Sequence, residues 1–249
     1  MTATALADLD RLNARLRSYP LPDSLRLSLE ADQEVTQTYN SNAIEGNTLT
    51  LAETKAVLLD GVTVSGHPLR EHLEAVNHKE AWRLMRRMSA ASGPLLEDDV
   101  LSIHRVILTG IQTEDAGVYR RDRVRVVGSS LIFPNPLKVP ELMGSFIDTV
   151  KAEASLHPVL MAAHAHYRLV AVHPFADGNG RTARLLMNLL LIRSGFPPAL
   201  LPVTDRAYYY AALEVANGGD LGAFETLILG RVRAALLELL AVVGGEGEA

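Results

Sequence analysis

An all-α chain is what this sequence predicts, and three observations carry that expectation. Apolar residues recur with helical period over most of the 249 residues. Aromatics make up only 5%, and long alternating runs of the kind that build strands are scarce. No internal repeat or low-complexity tract interrupts the pattern. With 48% hydrophobic residues the chain can bury a sizeable core. The 29 acidic against 24 basic residues leave a net charge of −5, which argues against general affinity for nucleic acid or an anionic membrane surface. Any bound phosphate must therefore be held locally. The absence of cysteine excludes disulfides, thiolate catalysis and Cys-based metal sites.

The elements follow in order. A first helix is expected over about Ala3 to Arg17, stopping before Pro20, and a second over about Asp23 to Asn42, breaking at Glu45-Gly46-Asn47. Thr50 and Glu53 form a capping-box signature for a short helix to Leu59, which Asp60-Gly61 ends. Helices are expected next at His67 to Met88 and, after the turn at Ala91-Ser92-Gly93-Pro94, at Asp98 to Leu108. Then the period changes: Arg123 to Val126 alternate, Gly128-Ser129-Ser130 can turn the chain, and Leu131-Ile132-Phe133 can return, which predicts a short β-hairpin. Helical pattern resumes at Val139 to Ala154, Pro158 to Val172, Gly180 to Ser194, Asp205 to Asn217 and Leu221 to Val243. The N-terminus lacks a secretory apolar region. The apolar stretch Leu185 to Ile192 falls short of the roughly 18 residues of a membrane span, so the expectation is a soluble, cytoplasmic protein with no membrane partner.

Chemistry concentrates at Val172 to Arg184, VHPFADGNGRTAR, a polar loop between two helices that are apolar on nearly every face. Pro174 ends the first helix, and Gly178-Asn179-Gly180 lets several backbone N–H groups converge at the start of the next, an anion-binding nest. Arg181 and Arg184 stand in the first turns of that helix, where the macrodipole disfavours cations unless an anion or carboxylate is near. Asp177 is placed as the lone carboxylate that holds a hydrated Mg²⁺ beside phosphates, and His173 as a side chain able to accept a proton near neutrality. These are the parts of a phosphoryl or nucleotidyl transferase. His164 and His166 point to different sides of their helix, unlike zinc-binding pairs, so His166 is expected in a buried hydrogen bond.

The segment His173 to Arg184 resembles, position for position, the HPFx(D/E)GNGRxxR motif of the Fic-domain family, most of whose members are AMP transferases. The resemblance implies a Fic fold, a helical bundle around a central helix pair with a β-hairpin flap. It further implies that His173 deprotonates a protein Ser, Thr or Tyr hydroxyl that attacks the α-phosphorus of ATP. Asp177 would hold Mg²⁺, while Gly178, Asn179, Gly180 and Arg181 seat the phosphates. Ser41-Asn42-Ala43-Ile44-Glu45-Gly46 is similar to the (S/T)xxxE(G/N) inhibitory motif of the class with an N-terminal inhibitory helix, in which Glu45 would pair with Arg184. Tyr209-Tyr210 with Asn217 resembles YYxxLxxAN, which puts Tyr210 and Asn217 at the adenine and ribose. On this view residues 1–95 carry the inhibitory segment, 96–243 the Fic core and 244–249 a flexible tail. A protein substrate docks near Val126 to Phe133, and a homodimer is expected. The resemblance leaves three alternatives to an autoinhibited adenylyltransferase: a hydrolase removing AMP from a modified protein, a nucleotide-sensing module without transfer, and transfer of another phosphate-containing group, against which the intact Asp177, Gly178 and Gly180 argue.

Overall fold

A computed structural model of the chain describes residues 2–91, 93–126 and 129–245. Ten α-helices account for most of it: α1 (Thr2–Arg17), α2 (Asp23–Ile44), α3 (Leu51–Lys55), α4 (Leu69–Ala90), α5 (Glu97–Leu108), α6 (Val139–Ala152), α7 (Pro158–Val172), α8 (Asn179–Arg193), α9 (Arg206–Asn217) and α10 (Gly222–Gly245). The helical periodicity thus places every long element within a few residues of its observed limits. Residues 246–249 of the expected tail lie outside the described residues.

Helices α7 and α8 pack side by side along their length and form the centre. Twelve of the 15 residues of α8 are buried, including Leu185, Leu186, Met187, Leu189 and Leu191. A helix apolar on all sides needs neighbours on all sides, and α4, α5, α7 and the end of α2 supply them. α10 lies against α1, α7 and α9, burying Phe224, Ile228, Val232 and Leu236. One apolar cluster runs from Leu9 in α1 to Val243 in α10, with Trp82 and Met85 inside it. A smaller cluster under α3 unites Val35, Leu49, Val57, Leu58 and Ala75.

The capping box at α3 forms with both bonds, Glu53 N–H to Thr50 Oγ1 at 3.2 Å and Thr50 N–H to Glu53 Oε2 at 2.8 Å. Its last turn, Ala56–Asp60, widens to a π-helix before Gly61 ends it at φ 67°. No helix among the described residues is long and apolar enough to cross a membrane.

The expected β-hairpin is the principal correction. Among the described residues no strand forms: 123–126 and 129–135 run without helix or ladder pairing, and Val127 and Gly128 of the expected hairpin lie outside those described. An isolated two-stranded hairpin is marginal in water, and here side chains claim its polar groups instead. Glu214 of α9 accepts from Ser130 N–H at 3.0 Å and from the Ser129 and Ser130 hydroxyls at 2.5 and 2.7 Å. Arg120 takes the Pro134 carbonyl at 2.7 Å. The expected flap is therefore an extended strap tied to α9 at one point and, through Arg120, to the loop at His173 at another.

Candidate active site

The polar loop 173–178 leaves the middle of the α7–α8 pair as its apolar flanks require. His173 ends α7, its N–H bonding to the Leu169 carbonyl at 2.9 Å, and takes a left-handed conformation (φ 50°, ψ 59°), alone in this among the described non-glycine residues. A right-handed continuation is disfavoured before Pro174, and the left-handed turn costs an L-residue about 1–2 kcal/mol. That strain is offset by its surroundings: the Phe133 ring packs 4.3 Å from the imidazole, and Arg120 Nε donates to the His173 carbonyl at 2.7 Å. Burial lowers the His173 pKa to about 4, the Val170 carbonyl pulling the other way. The ring is neutral at pH 7.

Phe175, fully buried, anchors the loop by stacking on His104 with centroids 3.5 Å apart and planes 5° from parallel. His104 Nδ1 accepts from Gly117 N–H at 3.0 Å, which leaves its proton on Nε2 to donate to the Asp177 carbonyl at 3.0 Å. A Cβ on Gly178 (φ 78°) would press on that ring at 3.3 Å, so glycine is needed there on two counts. Replacing Phe175 by alanine is expected to cost about 3–5 kcal/mol of stability in denaturant unfolding. A cost below about 1 kcal/mol would deny it the anchoring role.

At the start of α8 the two arginines have carboxylate partners, as the helix-dipole argument requires. Arg184, buried, donates from Nη2 to Glu45 Oε1 at 2.7 Å and to the Ser41 carbonyl at 2.8 Å, and from Nε to Ser41 Oγ at 2.9 Å. Burial alone would lower the Arg184 pKa, but Glu45, with Tyr209 and Tyr210, outweighs it and raises the pKa. Gly180 makes the pairing possible, since a Cβ there would collide with Glu45 Oε1. A carboxylate thus stands over the helix N-terminus where the sequence predicts an anion. Arg181, also buried, pairs with Asp177 at 3.0 Å and Glu74 at 3.5 Å. Burial pushes the Asp177 pKa up, but Arg181, the Gly178 N–H and Arg70 outweigh it and hold the carboxyl below its usual value.

The Asn179 amide bonds the Phe175 backbone in both directions, at 3.0 and 2.9 Å, and is buried, so it shapes the loop and keeps one amide hydrogen without a protein acceptor. His166 makes the buried bond expected of it, to the Tyr209 hydroxyl at 3.1 Å.

A cavity of about 700 Å³ opens between this loop, the strap and α9, the size of a small-ligand site. Glu45, His173, Asp177, Gly180, Tyr210 and Asn217 all line it. The structure therefore brings together the loop, the inhibitory motif and the α9 pair. Tyr210, not the exposed Tyr208, is the tyrosine whose face Arg206 covers at 5.2 Å within this wall. Sequence reasoning missed Arg120, His104, Glu214, Arg70 and Glu74. Only Glu214 had a local signal, standing one helical turn before Asn217 and bonded to it at 3.0 Å.

Two buried arginines follow a helix start whose first residues, Asn179 and Gly180, line this cavity, and the Glu45 carboxylate stands over that start, which suits the helical domain to hold an anion. Comparison with known proteins makes the class specific. Residues 94–191 match the model of the Fic/DOC family. The chain is 44% identical over 190 residues to protein adenylyltransferase fic-1 of Caenorhabditis elegans, covering 75% of this chain and 37% of that protein. It thus spans little more than a third of that relative's length. The solved structure of C. elegans Fic-1 residues 134–508 superposes with a TM-score of 0.86 at 36% identity, covering 96% of this chain and 71% of that one. A Fic-domain signaling protein from Bacteroides thetaiotaomicron superposes with a TM-score of 0.87 at 27% identity, covering 97% of each. The chain belongs to the Fic/DOC family.

Proposed function

We propose that this chain is an autoinhibited protein adenylyltransferase, transferring AMP from ATP to a hydroxyl of a protein substrate. The observation that carries the reading is the Glu45–Arg184 pair at 2.7 Å over the start of α8, Glu45 lining the same cavity as a neutral His173. Its relationship to a relative named protein adenylyltransferase supports the same reaction.

In this reading His173 takes the proton of a Ser, Thr or Tyr hydroxyl as its oxygen attacks the α-phosphorus. The bond from that phosphorus to the bridging oxygen breaks, and pyrophosphate leaves with the electron pair. Backbone N–H groups of Gly178 and Gly180, with Arg181 and Arg184, take the phosphates, and Tyr210 and Asn217 border the nucleoside. Among the described residues no group of three or more carboxylates and imidazoles converges, and Asp177, which lines the cavity, would be the carboxylate that holds a divalent cation. That donor set fits Mg²⁺, which keeps waters and nucleotide oxygens as its other ligands. When bound, the ion would neutralise phosphate charge. The strap between Val126 and Phe133, extended and without ladder pairing among its described residues, suits an extended target segment.

The test is transfer from α-labelled ATP with Mg²⁺. Glu45→Gly is expected to raise incorporation about 10- to 100-fold, the equivalent of a charge-assisted hydrogen bond of about 1.5–3 kcal/mol. Equal incorporation by parent and variant would refute autoinhibition. ATP binding without transfer by either would leave a nucleotide sensor as the function. A second reading has its own observation: Glu45 gives only Oε1 to Arg184 and lines the cavity, so Oε2 can orient a water. Release of AMP from a modified protein by the parent, lost in Glu45→Gly, would establish removal.

A further inference from the structure

Charged groups around Asp177 close into a ring that neither the loop motif nor the inhibitory segment predicts. Arg70 of α4 donates from Nη2 to Asp177 Oδ2 at 2.6 Å. The other oxygen of Asp177 accepts from the Gly178 N–H and from Arg181 Nη2 at 3.0 Å. Arg181 Nη1 lies 3.5 Å from Glu74 Oε1, which accepts from Arg70 Nε at 3.1 Å. Two guanidiniums and two carboxylates thus alternate. Arg70 and Glu74 sit four residues apart in α4, the spacing that puts both on one face.

One more contact leads out of the ring. Glu74 Oε2 accepts from Asn47 Nδ2 at 3.0 Å, two residues beyond Glu45, and the Glu74 carbonyl accepts from Asn42 Nδ2 at 3.1 Å. The residue that balances Arg181 therefore also pins the end of the inhibitory helix.

We propose that Arg70 is a latch on the carboxylate of Asp177, which a divalent cation arriving with nucleotide must displace. The inference rests on the proposed reading of the loop as a phosphate and cation seat. Both oxygens of Asp177 are committed in this state, and a guanidinium at 2.6 Å cannot share one of them with a doubly charged ion without strong like-charge repulsion. The ring shows which member moves. The Arg70 side chain is 49% exposed and can swing into water, whereas that of Arg181 is 3% exposed and is fixed. Loading then passes Asp177 Oδ2 from Arg70 to the cation. Glu74, which accepts from Arg70 Nε and from Asn47 Nδ2, links the latch to the segment that follows the inhibitory helix.

The experiment measures Mn²⁺ binding by the electron paramagnetic resonance signal of the free ion, with α,β-methylene ATP saturating, on Glu45→Gly and on Glu45→Gly with Arg70→Ala. Arg70→Ala is expected to tighten Mn²⁺ about threefold, the scale of a half-exposed ion pair. Nucleotide affinity measured in EDTA should not tighten. A merely structural Arg70 would lower the melting temperature without strengthening metal binding. Equal or weaker Mn²⁺ affinity in the Arg70→Ala chain overturns the latch. If the Glu45→Gly chain itself takes up no Mn²⁺ with the analogue, the reading of the seat falls and the latch with it.

Discussion

His173→Ala in a Glu45→Gly chain is expected to slow label transfer from ATP by about 10²- to 10⁴-fold, the usual contribution of a positioned general base. Nucleotide affinity should change little, because the phosphate seat is built from the α8 start and not from the imidazole. The expectation follows from how much structure is devoted to that ring. Its backbone is held left-handed at the end of α7, its face lies on Phe133, and its carbonyl is tied to Arg120, which also holds the Pro134 carbonyl of the strap. Burial keeps the ring neutral, with a pKa of about 4, so it is ready to accept a proton at pH 7. A base that weak is a poor proton acceptor by itself. Bound polyphosphate would bring negative charge close by and raise its pKa toward neutrality, which improves the match to the task. The measurement is a time course with labelled ATP at saturation, with affinity taken separately by a non-transferable analogue. His173→Asn, which tolerates the left-handed backbone, separates loss of the base from loss of the turn. Transfer by both variants at the parent rate would assign the base to another group.

Much of this site was legible because it is contiguous. The loop from His173 to Arg184 carries its own turn chemistry, its nest and its arginines, and the conflict of two cations with the α8 dipole pointed to carboxylate partners. Glu45 could be matched to Arg184 only through the family motif, since 139 residues separate them. What stayed hidden was long-range and reciprocal. Nothing in the local sequence marks Arg120, yet it is 5% exposed and donates to the carbonyls of His173, Asp122 and Pro134, joining the loop to the strap. His104 lies in an apolar helical stripe, and its role depends on Gly117, Phe175 and Asp177 meeting around it. The hairpin was misjudged for a related reason. Alternation at Arg123 to Val126 shows that a segment is extended, but whether it pairs is decided by competitors such as Glu214, which no local pattern reveals.

Acid should unfold this protein earlier than its carboxylates alone require, because four buried histidines are neutral in the fold. Burial lowers the pKa of His78 and His166 to about 3 and of His104 and His173 to about 4, from 6.5. Below pH 6.5 the unfolded chain binds these protons and the native chain does not, so stability is lost as pH falls and the loss slows only near pH 4. Four such groups set a limiting slope of about 5 kcal/mol per pH unit, against a total stability of about 5–15 kcal/mol. The midpoint is therefore expected near pH 5. Carboxylates held below their usual values, Asp177 and Glu153 among them, add to the loss only below about pH 4. The two windows are distinguishable by urea unfolding at pH 7.5, 6.5, 5.5 and 5. His104→Asn, if it folds, should flatten the pH 6.5–5 slope by about one proton, a quarter of the effect. Stability unchanged between pH 7 and 5 would refute the account, and would mean that these rings charge within the fold. The order of events also bears on catalysis. If the fold is lost near pH 5, the acid limb of the transfer rate reports unfolding and not the His173 imidazole. That limb should then shift with His104→Asn, a residue that does not line the cavity.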